Sequence, residues 1–487
     1  MKKLNNILTH SSIIEHKGNL EVEVKSVGID SRKVESGQVF FAIPGTQVDG
    51  HQFIPQAVEA GAAAIVCERI PDVLADNVTY VRVENISKVL GFAVAEFYDN
   101  PSEKLILVGV TGTNGKTTTA TLLYQLFRKL GYKAGLLSTV VNCVDDKATE
   151  ATQTTPDAVT INRLLHDMVA VGCSYAFMEV SSHSIAQHRV AGLYFAGGVF
   201  SNITHDHLDY HKTFDEYLKV KKSFFDGLPA TSFALVNVDD RNGRVMVQNT
   251  KATAKTYALK SMADYKCKII ENGFEGMHLN IDGTEVWTEF IGEFNAYNLL
   301  AVYAAARQLN VEKEEALTTL SMLKPVSGRF ECVRSANGIT AIIDFAHTPD
   351  ALENVLKAIN SIRKDNERLI TVAGCGGNKD KTKRPIMAAL AVDYSDVAVL
   401  TSDNPRFEDP EAILEDMKAG LTTKEQRSKA LSIVNRHEAI RTAVTLAKPN
   451  DIILLAGKGH ETHQEIMGVR THFDDKEEVL NAFKEQE

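Results

Sequence analysis

The feature that most constrains the fold is a short apolar run followed directly by a glycine-rich turn and a helical pattern. Residues 105–110 (LILVGV) form a continuous apolar run with the length of a buried parallel strand. Residues 111–117 (TGTNGKT) follow as a glycine-rich turn. Apolar residues then recur at helical spacing, at Leu123, Leu126, Phe127 and Leu130. This order predicts a strand, a turn and a helix within an α/β sheet.

A turn of this kind between a strand and a helix is typical of a phosphate-binding loop. Its backbone N–H groups and the helix N-terminus can surround phosphate oxygens. In this interpretation Lys116 reaches the β- and γ-phosphates, and the Thr117 hydroxyl binds Mg²⁺. The spacing departs from the common P-loop, because Val110 occupies the position of its first glycine. The alternative is a tight glycine turn with an accidental GKT sequence, but the flanking strand and helix favour ATP binding.

Changes of pattern divide the 487 residues into three segments, each with an α/β pattern. Residues 1–98 alternate short apolar runs with turn residues, which predicts a small N-terminal α/β domain. Residues 99–325 contain the glycine-rich turn and further apolar runs, which predicts a central P-loop ATPase-like domain with a parallel sheet. Residues 326–487 predict a C-terminal Rossmann-like α/β domain.

Four apolar runs in the last segment each end in a cluster of polar residues. The runs and the clusters that follow them cover residues 341–347, 369–377, 397–406 and 452–461. In open α/β sheets, ligands bind beyond the carboxyl ends of the strands. The last segment therefore predicts a second ligand-binding sheet.

The composition argues against several classes of protein. A formal net charge of −10 disfavours polyanion binding, so we expect no nucleic-acid partner. Six scattered cysteines without a CxxC pair are typical of reduced thiols in the cytosol. No apolar run reaches the ~20 residues of a membrane helix, and residues 1–20 lack the apolar segment of a signal peptide. We expect a soluble, cytoplasmic protein that does not insert into a membrane.

Polar residues also follow the apolar runs of the central segment. Glu179 ends one run, and residues 202–211 (NITHDHLDYH) are dense in His and Asp. Beside a phosphate loop, such residues suggest a Mg²⁺ site, although Mg²⁺ prefers oxygen ligands to histidine. A solvated loop at 202–211 and a structural carboxylate at Glu179 are the alternatives.

Six motifs together carry a resemblance to a known family. They resemble, in order and across essentially the whole chain, the motif set of the Mur ligases, the ATP-dependent amide-forming enzymes of peptidoglycan precursor synthesis. The motifs lie at residues 111–118, 179–183, 206–211, 292–298, 328–331 and 344–350. Residues 403–406 (DNPR) and 457–461 (GKGHE) resemble the members that add meso-diaminopimelate to UDP-N-acetylmuramoyl-L-alanyl-D-glutamate. Phe345 departs from the family pattern, which usually has Tyr there, so a hydroxyl contact is absent.

The resemblance implies that residues 99–325 bind ATP together with two Mg²⁺ ions. The residues that it assigns to ATP are Gly112, Thr113, Asn114, Gly115, Lys116, Thr117, Thr118, Asn295, Asn298, Arg329 and Asp344. By the same resemblance, Arg329, Asp344 and His347 lie where the second segment meets the third. Asn295 and Asn298 match positions near the adenine, and the alternative for Asn295 is a helix cap.

The resemblance also implies the metal ligands and the residues that act in catalysis. Thr117 and Glu179 would hold one ion, and His207 and Lys221 would hold the second. Lys221 matches a carbamylated lysine (N6-carboxylysine), which would be an anionic oxygen ligand where an ammonium would repel Mg²⁺. Without the family, residues 217–225 read as the solvated face of a helix. The resemblance makes Lys116, Lys221 and His207 the catalytic residues.

The resemblance also assigns segments of the chain to the nucleotide-sugar peptide and to the amino acid. Residues 1–98 would hold the UDP group, and residues 326–487 the amino acid. The residues matched to UDP-N-acetylmuramoyl-dipeptide are Ser31, Arg32, Thr154, Thr155, Ser181, Gln187 and Arg189. The residues matched to diaminopimelate are Arg384, Asp403, Asn404, Arg406, Gly457 and Glu461. We expect a monomer that closes around its three substrates.

The inferred reaction passes through an acyl phosphate, and three alternatives stay open. The terminal D-glutamate carboxylate would attack the γ-phosphate, and the amine of the incoming amino acid would then displace phosphate. An L-lysine-adding enzyme of the same step and a folylpolyglutamate-synthase-like ligase are related alternatives. A P-loop ATPase or kinase without amide formation is the alternative from a different class, but it has no need of the clusters at 403–406 and 457–461.

Overall fold

A computed structural model describes residues 1–45, 48–204, 206 and 208–486, without the side chains of Leu208 and Asp209. The chain forms two compact units. The first comprises Met1–Gly112, Thr119–Asn202 and Asp215–Tyr257, and the second comprises Thr113–Thr118, Ile203–Phe214 and Ala258–Glu487. The predicted boundaries at residues 98/99 and 325/326 stay predictions.

The first 98 residues form a five-stranded sheet with the order β2-β7-β6-β5-β4 and a separate pair β1-β3. Strands β4 to β7 are parallel, and β2 is antiparallel at the edge. The strands are β1 (Lys2–Lys3), β2 (Ile13–Lys17), β3 (Glu23–Val24), β4 (Val27–Gly28), β5 (Val39–Phe41), β6 (Ala64–Cys67) and β7 (Thr79–Val83). The helices are α1 (Leu4–Ile7), α2 (Ile54–Glu59) and α3 (Ile86–Phe97), with 3₁₀ turns at Ser31–Lys33 and Gly50–Phe53. A third 3₁₀ turn, Pro101–Glu103, follows this region.

Helix α3 illustrates how the local sequence builds this region. Asn85 caps its N-terminus, because the side-chain oxygen accepts from Lys88 N at 2.9 Å. Its apolar residues fall at helical spacing and face the sheet, where they are buried: Ile86, Val89, Leu90, Ala93 and Val94. The prediction of a small α/β domain is confirmed.

The central sheet of the first unit has the order β11-β10-β9-β12-β8-β13-β14-β15. The run from β9 through β12, β8, β13 and β14 to β15 is parallel. The strands are β8 (Ile106–Thr111), β9 (Ala134–Leu137), β10 (Val141–Val144), β11 (Lys147–Glu150), β12 (Tyr175–Glu179), β13 (Gly197–Phe200), β14 (Phe233–Asn237) and β15 (Thr253–Ala258). The helices are α4 (Lys116–Lys129), α5 (Ala158–Ala170), α6 (Ser182–Ala186), α7 (Leu208–His211), α8 (Phe214–Asp226) and α9 (Gly243–Met246).

The predicted strand, turn and helix are confirmed here. Strand β8 covers residues 106–110 of the apolar run, has parallel neighbours on both sides, and is buried at every position after Ile106. Helix α4 buries Leu123, Leu126 and Phe127. Gly131 follows α4 with φ +89°, the conformation that commonly ends a helix.

Residues 258–325 lie in the second unit and form an antiparallel meander and two helices. The strands are β16 (Tyr265–Gly273), β17 (Gly276–Ile281) and β18 (Thr284–Thr288), and the helices are α10 (Glu293–Gln308) and α11 (Lys313–Ser321). Eleven residues of α10 are buried, so this helix forms part of a core.

The remaining residues form a six-stranded sheet with the order β19-β20-β24-β21-β22-β23. All its strands are parallel except β19 at the edge. The strands are β19 (Glu331–Arg334), β20 (Thr340–Asp344), β21 (Leu369–Cys375), β22 (Val397–Ser402), β23 (Ala430–Ser432) and β24 (Ile452–Ala456), and a hairpin adds β25 (His463–Ile466) and β26 (Val469–His472). The helices are α12 (Pro349–Ile362), α13 (Lys383–Asp393), α14 (Pro410–Lys418), α15 (Lys424–Lys429), α16 (Arg436–Leu446) and α17 (Asp475–Gln486).

Helices cover both faces of this sheet. Helices α12, α13 and α14 contribute to the core on one face, and α16 and α17 to the core on the other. The four predicted apolar runs are β20, β21, β22 and β24, which lie side by side and parallel. The predicted α/β fold with parallel-sheet domains is therefore confirmed. Among the described residues, no helix has the length and apolar character needed to cross a membrane.

A fully buried ion pair ties this sheet to its last helix. Both side chains of Arg436 and Asp475 are inaccessible, and Arg436 Nη2 lies 2.6 Å from Asp475 Oδ2. The same guanidinium donates to the carbonyls of Ser402 and Ala456, the last residues of β22 and β24. The pair therefore fixes the two strand ends that precede the polar clusters at 403–406 and 457–461.

We predict that Asp475→Ala strongly destabilises the protein, because it leaves Arg436 buried without its counter-charge. The expected loss is about 3–5 kcal/mol of the free energy of unfolding, measured by urea unfolding. The control is Glu485→Ala, which breaks the exposed Arg441–Glu485 pair and costs at most about 1 kcal/mol. Equal losses of unfolding free energy in the two variants would contradict the conclusion that the buried pair stabilises the protein more than the exposed one.

Candidate active site

The turn after β8 requires glycine at its first position. Gly112 has φ +153°, and a Cβ built there would lie 2.0 Å from Ser201 Oγ. Any side chain would therefore clash with the end of β13. The close approach also leaves the Gly112 carbonyl within reach of Lys221, whose Nζ donates to it at 2.8 Å.

Lys221 is the buried lysine of α8. Only 1% of the residue is exposed, and its Nζ lies 3.4 Å from Thr111 Oγ1 and 4.9 Å from the centre of the Tyr217 ring. Its neighbour Lys222 pairs with Asp226 at 2.6 Å, one turn along the helix. The interpretation of this stretch as a solvated helix face is therefore wrong for Lys221. A buried lysine beside the glycine turn is a strong candidate for function.

Glu179 is the last residue of β12 and lies opposite Val110 in the register with β8. It is 1% exposed, and its Oε1 accepts from the backbone N–H of Thr139 at 2.6 Å. Its backbone carbonyl accepts from Thr155 Oγ1 at 2.7 Å. The strand end thus places a buried carboxylate one strand away from the start of the glycine turn.

The side chains predicted to bind Mg²⁺ suit that ion chemically only in part. The Thr117 hydroxyl and the Glu179 carboxylate are oxygen donors of the kind that Mg²⁺ prefers. Lys221 suits a metal as a carbamate but not as an ammonium. His207, the fourth predicted ligand, lies outside the described residues. Among the residues that the structure describes, no group of three or more His, Cys, Asp or Glu side chains is placed to hold a metal.

The tip of the glycine turn lies in the second unit and contacts the start of α12. Asn114 Nδ2 donates to Asp350 Oδ2 at 2.5 Å, and Thr204 Oγ1 donates to the same oxygen at 3.0 Å. Lys116 Nζ donates to Thr113 O at 2.7 Å. Burial raises the pKa of Asp350, and the two donors act against that shift. Asp350 thus positions the tip, and sequence patterns alone give it no such role.

Helix α10 presents two buried amides to the same turn. Gly115 has φ +82°, and a Cβ there would lie 2.5 Å from Asn298 Oδ1, so the position requires glycine. Asn298 Nδ2 donates to Asn295 Oδ1 at 3.1 Å, and Asn295 Nδ2 donates to Ile291 O at 2.9 Å. Gly292 is the N-cap of α10, so the alternative that Asn295 caps the helix is wrong.

Arg329 and Asp344 lie beside the turn in the second unit. Arg329 Nη2 donates to Thr117 Oγ1 at 3.2 Å, and its guanidinium lies 4.5 Å above the ring of Phe345. Asp344 accepts from the backbone N–H of Phe330 at 2.7 Å and thereby fixes the residue after Arg329. Burial raises the pKa of Asp344 to about 6, although the charge of Arg329 acts in the opposite direction. Phe345 keeps the ring that this cation–π contact needs.

Two histidines flank the ring of Phe345. His347 and His460 lie 4.6 Å and 4.9 Å from it, measured between ring centres. Burial lowers the pKa of His347 to about 4 and that of His460 to about 3, so both are neutral at pH 7. The Nδ1 atom of His460 is buried without a hydrogen-bond partner. His460 is a candidate that no sequence pattern marks individually.

The residues matched to the UDP group are placed at the start of a 3₁₀ turn. Ser31 is buried and donates to Gln56 Oε1 at 2.9 Å. Arg32 is exposed and pairs with Asp30 through two contacts of 2.9 Å. Their predicted role toward UDP stays a prediction.

The five residues matched to the muramoyl-dipeptide come together in the first unit. Arg189 donates to Gln187 Oε1 at 2.6 Å and to Thr155 O at 2.8 Å. Thr155 Oγ1 in turn accepts from Ser181 N at 3.1 Å, and Thr154 Oγ1 accepts from Thr139 Oγ1 at 3.1 Å. These contacts link the loop before α5 to the end of β12, and the substrate roles stay predictions.

The polar clusters after β22 and β24 meet around a buried lysine. Lys458 is 0% exposed, and its Nζ lies 3.2 Å from Glu461 Oε2 and 3.4 Å from Asn404 Oδ1. Asn404 Nδ2 donates to Glu461 Oε2 at 2.7 Å. Asp403 Oδ1 is buried without a hydrogen-bond partner, 3.9 Å from Lys458 Nζ, and 3.5 Å from a Cβ built on Gly457. The structure thus brings Asp403, Asn404, Gly457 and Glu461 together, and adds Lys458.

Arg406 and Arg384 are held differently. Arg406 is half-buried, and its Nη1 donates to Gly377 O at 2.9 Å. Arg384 is fully buried and pairs with Glu408 at 3.0 Å and Asp416 at 2.8 Å. Hydrogen bonds from the Arg384 guanidinium and from the backbone N–H of Asn378 lower the pKa of Glu408 to about 2. Arg384 thus has structural partners in this structure, and its predicted contact with substrate stays a prediction.

A parallel sheet with a glycine turn between a strand and a helix is typical of nucleotide-binding proteins, and comparison with known proteins identifies the class. Residues 23–98 match the Mur ligase family catalytic domain, residues 110–306 the Mur ligase middle domain, and residues 328–459 the Mur ligase glutamate ligase domain. The chain belongs to the Mur ligase family. Members of this family are ATP-dependent ligases that form peptide bonds in peptidoglycan precursor synthesis and use ATP with Mg²⁺.

Individual relatives and solved structures show which members of the family the chain resembles. The UDP-N-acetylmuramoyl-L-alanyl-D-glutamate–2,6-diaminopimelate ligase of Phocaeicola vulgatus is 56% identical over 99% of both chains. A solved structure of a ligase with that name has a TM-score of 0.70 and 32% identity, over 99% of both chains. The Thermotoga maritima MurF ligase in complex with ADP shares the fold, with a TM-score of 0.62 and 20% identity over 95% of this chain and 98% of that one.

Proposed function

We propose that this chain joins meso-diaminopimelate to UDP-N-acetylmuramoyl-L-alanyl-D-glutamate, with ATP converted to ADP and phosphate. The observation that carries the proposal is the 56% identity, over 99% of both chains, to a relative named for that reaction. The cluster of Asp403, Asn404, Lys458 and Glu461 supports it, because charged and amide groups suit a zwitterionic amino acid.

The proposed reaction needs no side-chain nucleophile. An oxygen of the terminal D-glutamate carboxylate attacks the γ-phosphorus, and ADP leaves. The amine of the incoming amino acid then attacks the acyl carbon, and the bond to the phosphate oxygen breaks. Lys116 and Arg329 stabilise the charge on the transferring phosphoryl group.

Other residues near the turn would bind Mg²⁺, bind the adenine and position Arg329. Thr117 and Glu179 would hold one Mg²⁺, and His207 with carbamylated Lys221 the second; these ions neutralise phosphate charge when bound. Asn295 and Asn298 would read the adenine. Asp344 holds the backbone beside Arg329 and so positions that guanidinium.

Arg406 is proposed as the residue that selects the amino acid. Its planar guanidinium can pair bidentately with the distal carboxylate of diaminopimelate, which lysine lacks. With lysine bound, the guanidinium would be desolvated without that partner. Asn404, Glu461 and Gly457 would surround the same end of the substrate. Asp403 and Arg384 complete the proposed set.

We predict that the wild type prefers meso-diaminopimelate to L-lysine and that Arg406→Ala loses most of that preference. An unpaired buried charge costs about 3–5 kcal/mol, which corresponds to about two to four decades in the ratio of kcat/KM values. The measurement is kcat/KM for both amino acids in both proteins. The control is Arg470→Ala, an exposed arginine on β26 that pairs with Glu465.

Each outcome of this assay has a distinct meaning. A wild type that prefers lysine would overturn the proposed substrate. Hydrolysis of ATP with no amino-acid dependence would favour a P-loop ATPase. An unchanged preference in Arg406→Ala would remove the selector role from this residue while leaving the ligase assignment intact.

We also predict that Lys221 is carbamylated and that Lys221→Ala is nearly inactive. Small carboxylates such as formate or acetate should restore part of the activity, because they supply the missing anionic oxygen in the vacated space. The matched control is Lys222→Ala on the same helix, whose amine pairs with Asp226 at 2.6 Å and which should keep its activity. Full activity of Lys221→Ala would show that the second metal site is wrongly assigned.

A further inference from the structure

Arg406 has a backbone conformation that an L residue rarely adopts. Its φ is +53°, in the left-handed region, although it is not a glycine. Such a conformation persists only where the surrounding structure enforces it. The conformation sets the direction of the side chain that we propose as the selector.

The hairpin β25–β26 binds the backbone of Arg406 on both sides. Arg406 N donates to Glu465 O at 3.0 Å, and Met467 N donates to Arg406 O at 2.6 Å. The two segments form a β-bridge between Arg406 and Ile466. The hairpin therefore supplies the contacts that enforce the left-handed conformation.

Strand β25 also binds the residues just before Arg406, in the loop of residues 403–406. Glu465 N donates to Asn404 Oδ1 at 2.9 Å. Gln464 Nε2 donates to Asp403 O at 2.6 Å. Lys458 Nζ also donates to His463 O, which anchors the start of the strand. Among these described contacts between β25 and residues 403–406, the Gln464 contact alone uses a β25 side chain, so a substitution can remove it without changing the backbone.

We propose that Gln464 is a positioning residue for amino-acid selection. It ties β25 to the loop of residues 403–406, and thereby holds Arg406 in the conformation that meets the distal carboxylate of the substrate. The proposal rests on the proposed function of that loop. Gln464 acts through the backbone of Asp403 and not by touching the amino acid.

The test compares Gln464→Met with the wild type. Methionine keeps the length of the side chain but removes the donor, which leaves Asp403 O without its partner. We expect KM for meso-diaminopimelate to rise by about tenfold, the equivalent of ~1.4 kcal/mol. KM for ATP and kcat should stay close to the wild-type values, and the preference over L-lysine should fall. Thermal unfolding of each protein is measured alongside.

The control is Thr471→Val, at the position that pairs with Gln464 across the hairpin. Thr471 is exposed, and its hydroxyl donates to the Gln464 carbonyl at 3.4 Å without touching residues 403–406 in the described part of the chain, so KM should not change. If Gln464→Met does not fold, Gln464→Glu decides, because glutamate keeps the shape and lacks the amide donor.

The outcomes separate this proposal from the one on which it rests. An unchanged KM for meso-diaminopimelate in a folded variant would overturn the positioning role, and so would a lowered melting temperature with all kinetic constants unchanged. A wild type that does not ligate meso-diaminopimelate would overturn the proposed function itself.

Discussion

The parallel arrangement of strands is the constraint on which the rest of the structure depends. Hydrogen bonding between parallel strands aligns their carboxyl ends at one edge, so the loops that follow them meet. In the first unit this places Glu179 opposite Val110, next to the glycine turn. In the second unit it brings the loops after β22 and β24 together around Lys458. Residues far apart in sequence thus form clusters without any long-range sequence signal.

Buried charge is the second common feature of these clusters. Arg384, Arg436 and Lys458 are all at most 1% exposed. Desolvation of such cations is unfavourable unless a partner accepts the charge, and each has an anion in contact. Arg436 serves the strand ends, whereas Lys458 lies among the residues proposed to bind substrate. One buried cation, Arg436, therefore holds the strand ends in place, and another, Lys458, lies where a charged ligand is proposed to bind.

Much of the fold was predictable because buried parallel strands have continuous apolar sequences. Strands β8, β20, β21, β22 and β24 were all visible in this way, as was the turn before α4. The hairpin β25–β26 was not predictable, because its strands are mostly polar and exposed. It contacts residues 403–406, about sixty positions earlier in the chain, and such long-range contacts leave no local pattern.

The sequence predicts many of the residues of the candidate site but few of the contacts that they make. The family resemblance assigns a role to Lys221, yet residues 217–225 taken alone resemble a solvated helix face, and only tertiary packing buries this one lysine beside Gly112. Asn295 resembled a cap, but Gly292 occupies that position. The roles of Asp350, Lys458 and Gln464 depend on contacts between distant segments, which a single sequence does not encode as a pattern.

The central claim is that the chain activates a carboxylate as an acyl phosphate. The most direct measurement uses UDP-N-acetylmuramoyl-L-alanyl-D-glutamate with ¹⁸O in the terminal D-glutamate carboxylate, in the presence of ATP and meso-diaminopimelate. The account predicts that each phosphate released during ligation contains one ¹⁸O atom, because the bond to the acyl carbon breaks and the oxygen leaves with phosphorus. Ligation that releases only unlabelled phosphate would contradict it.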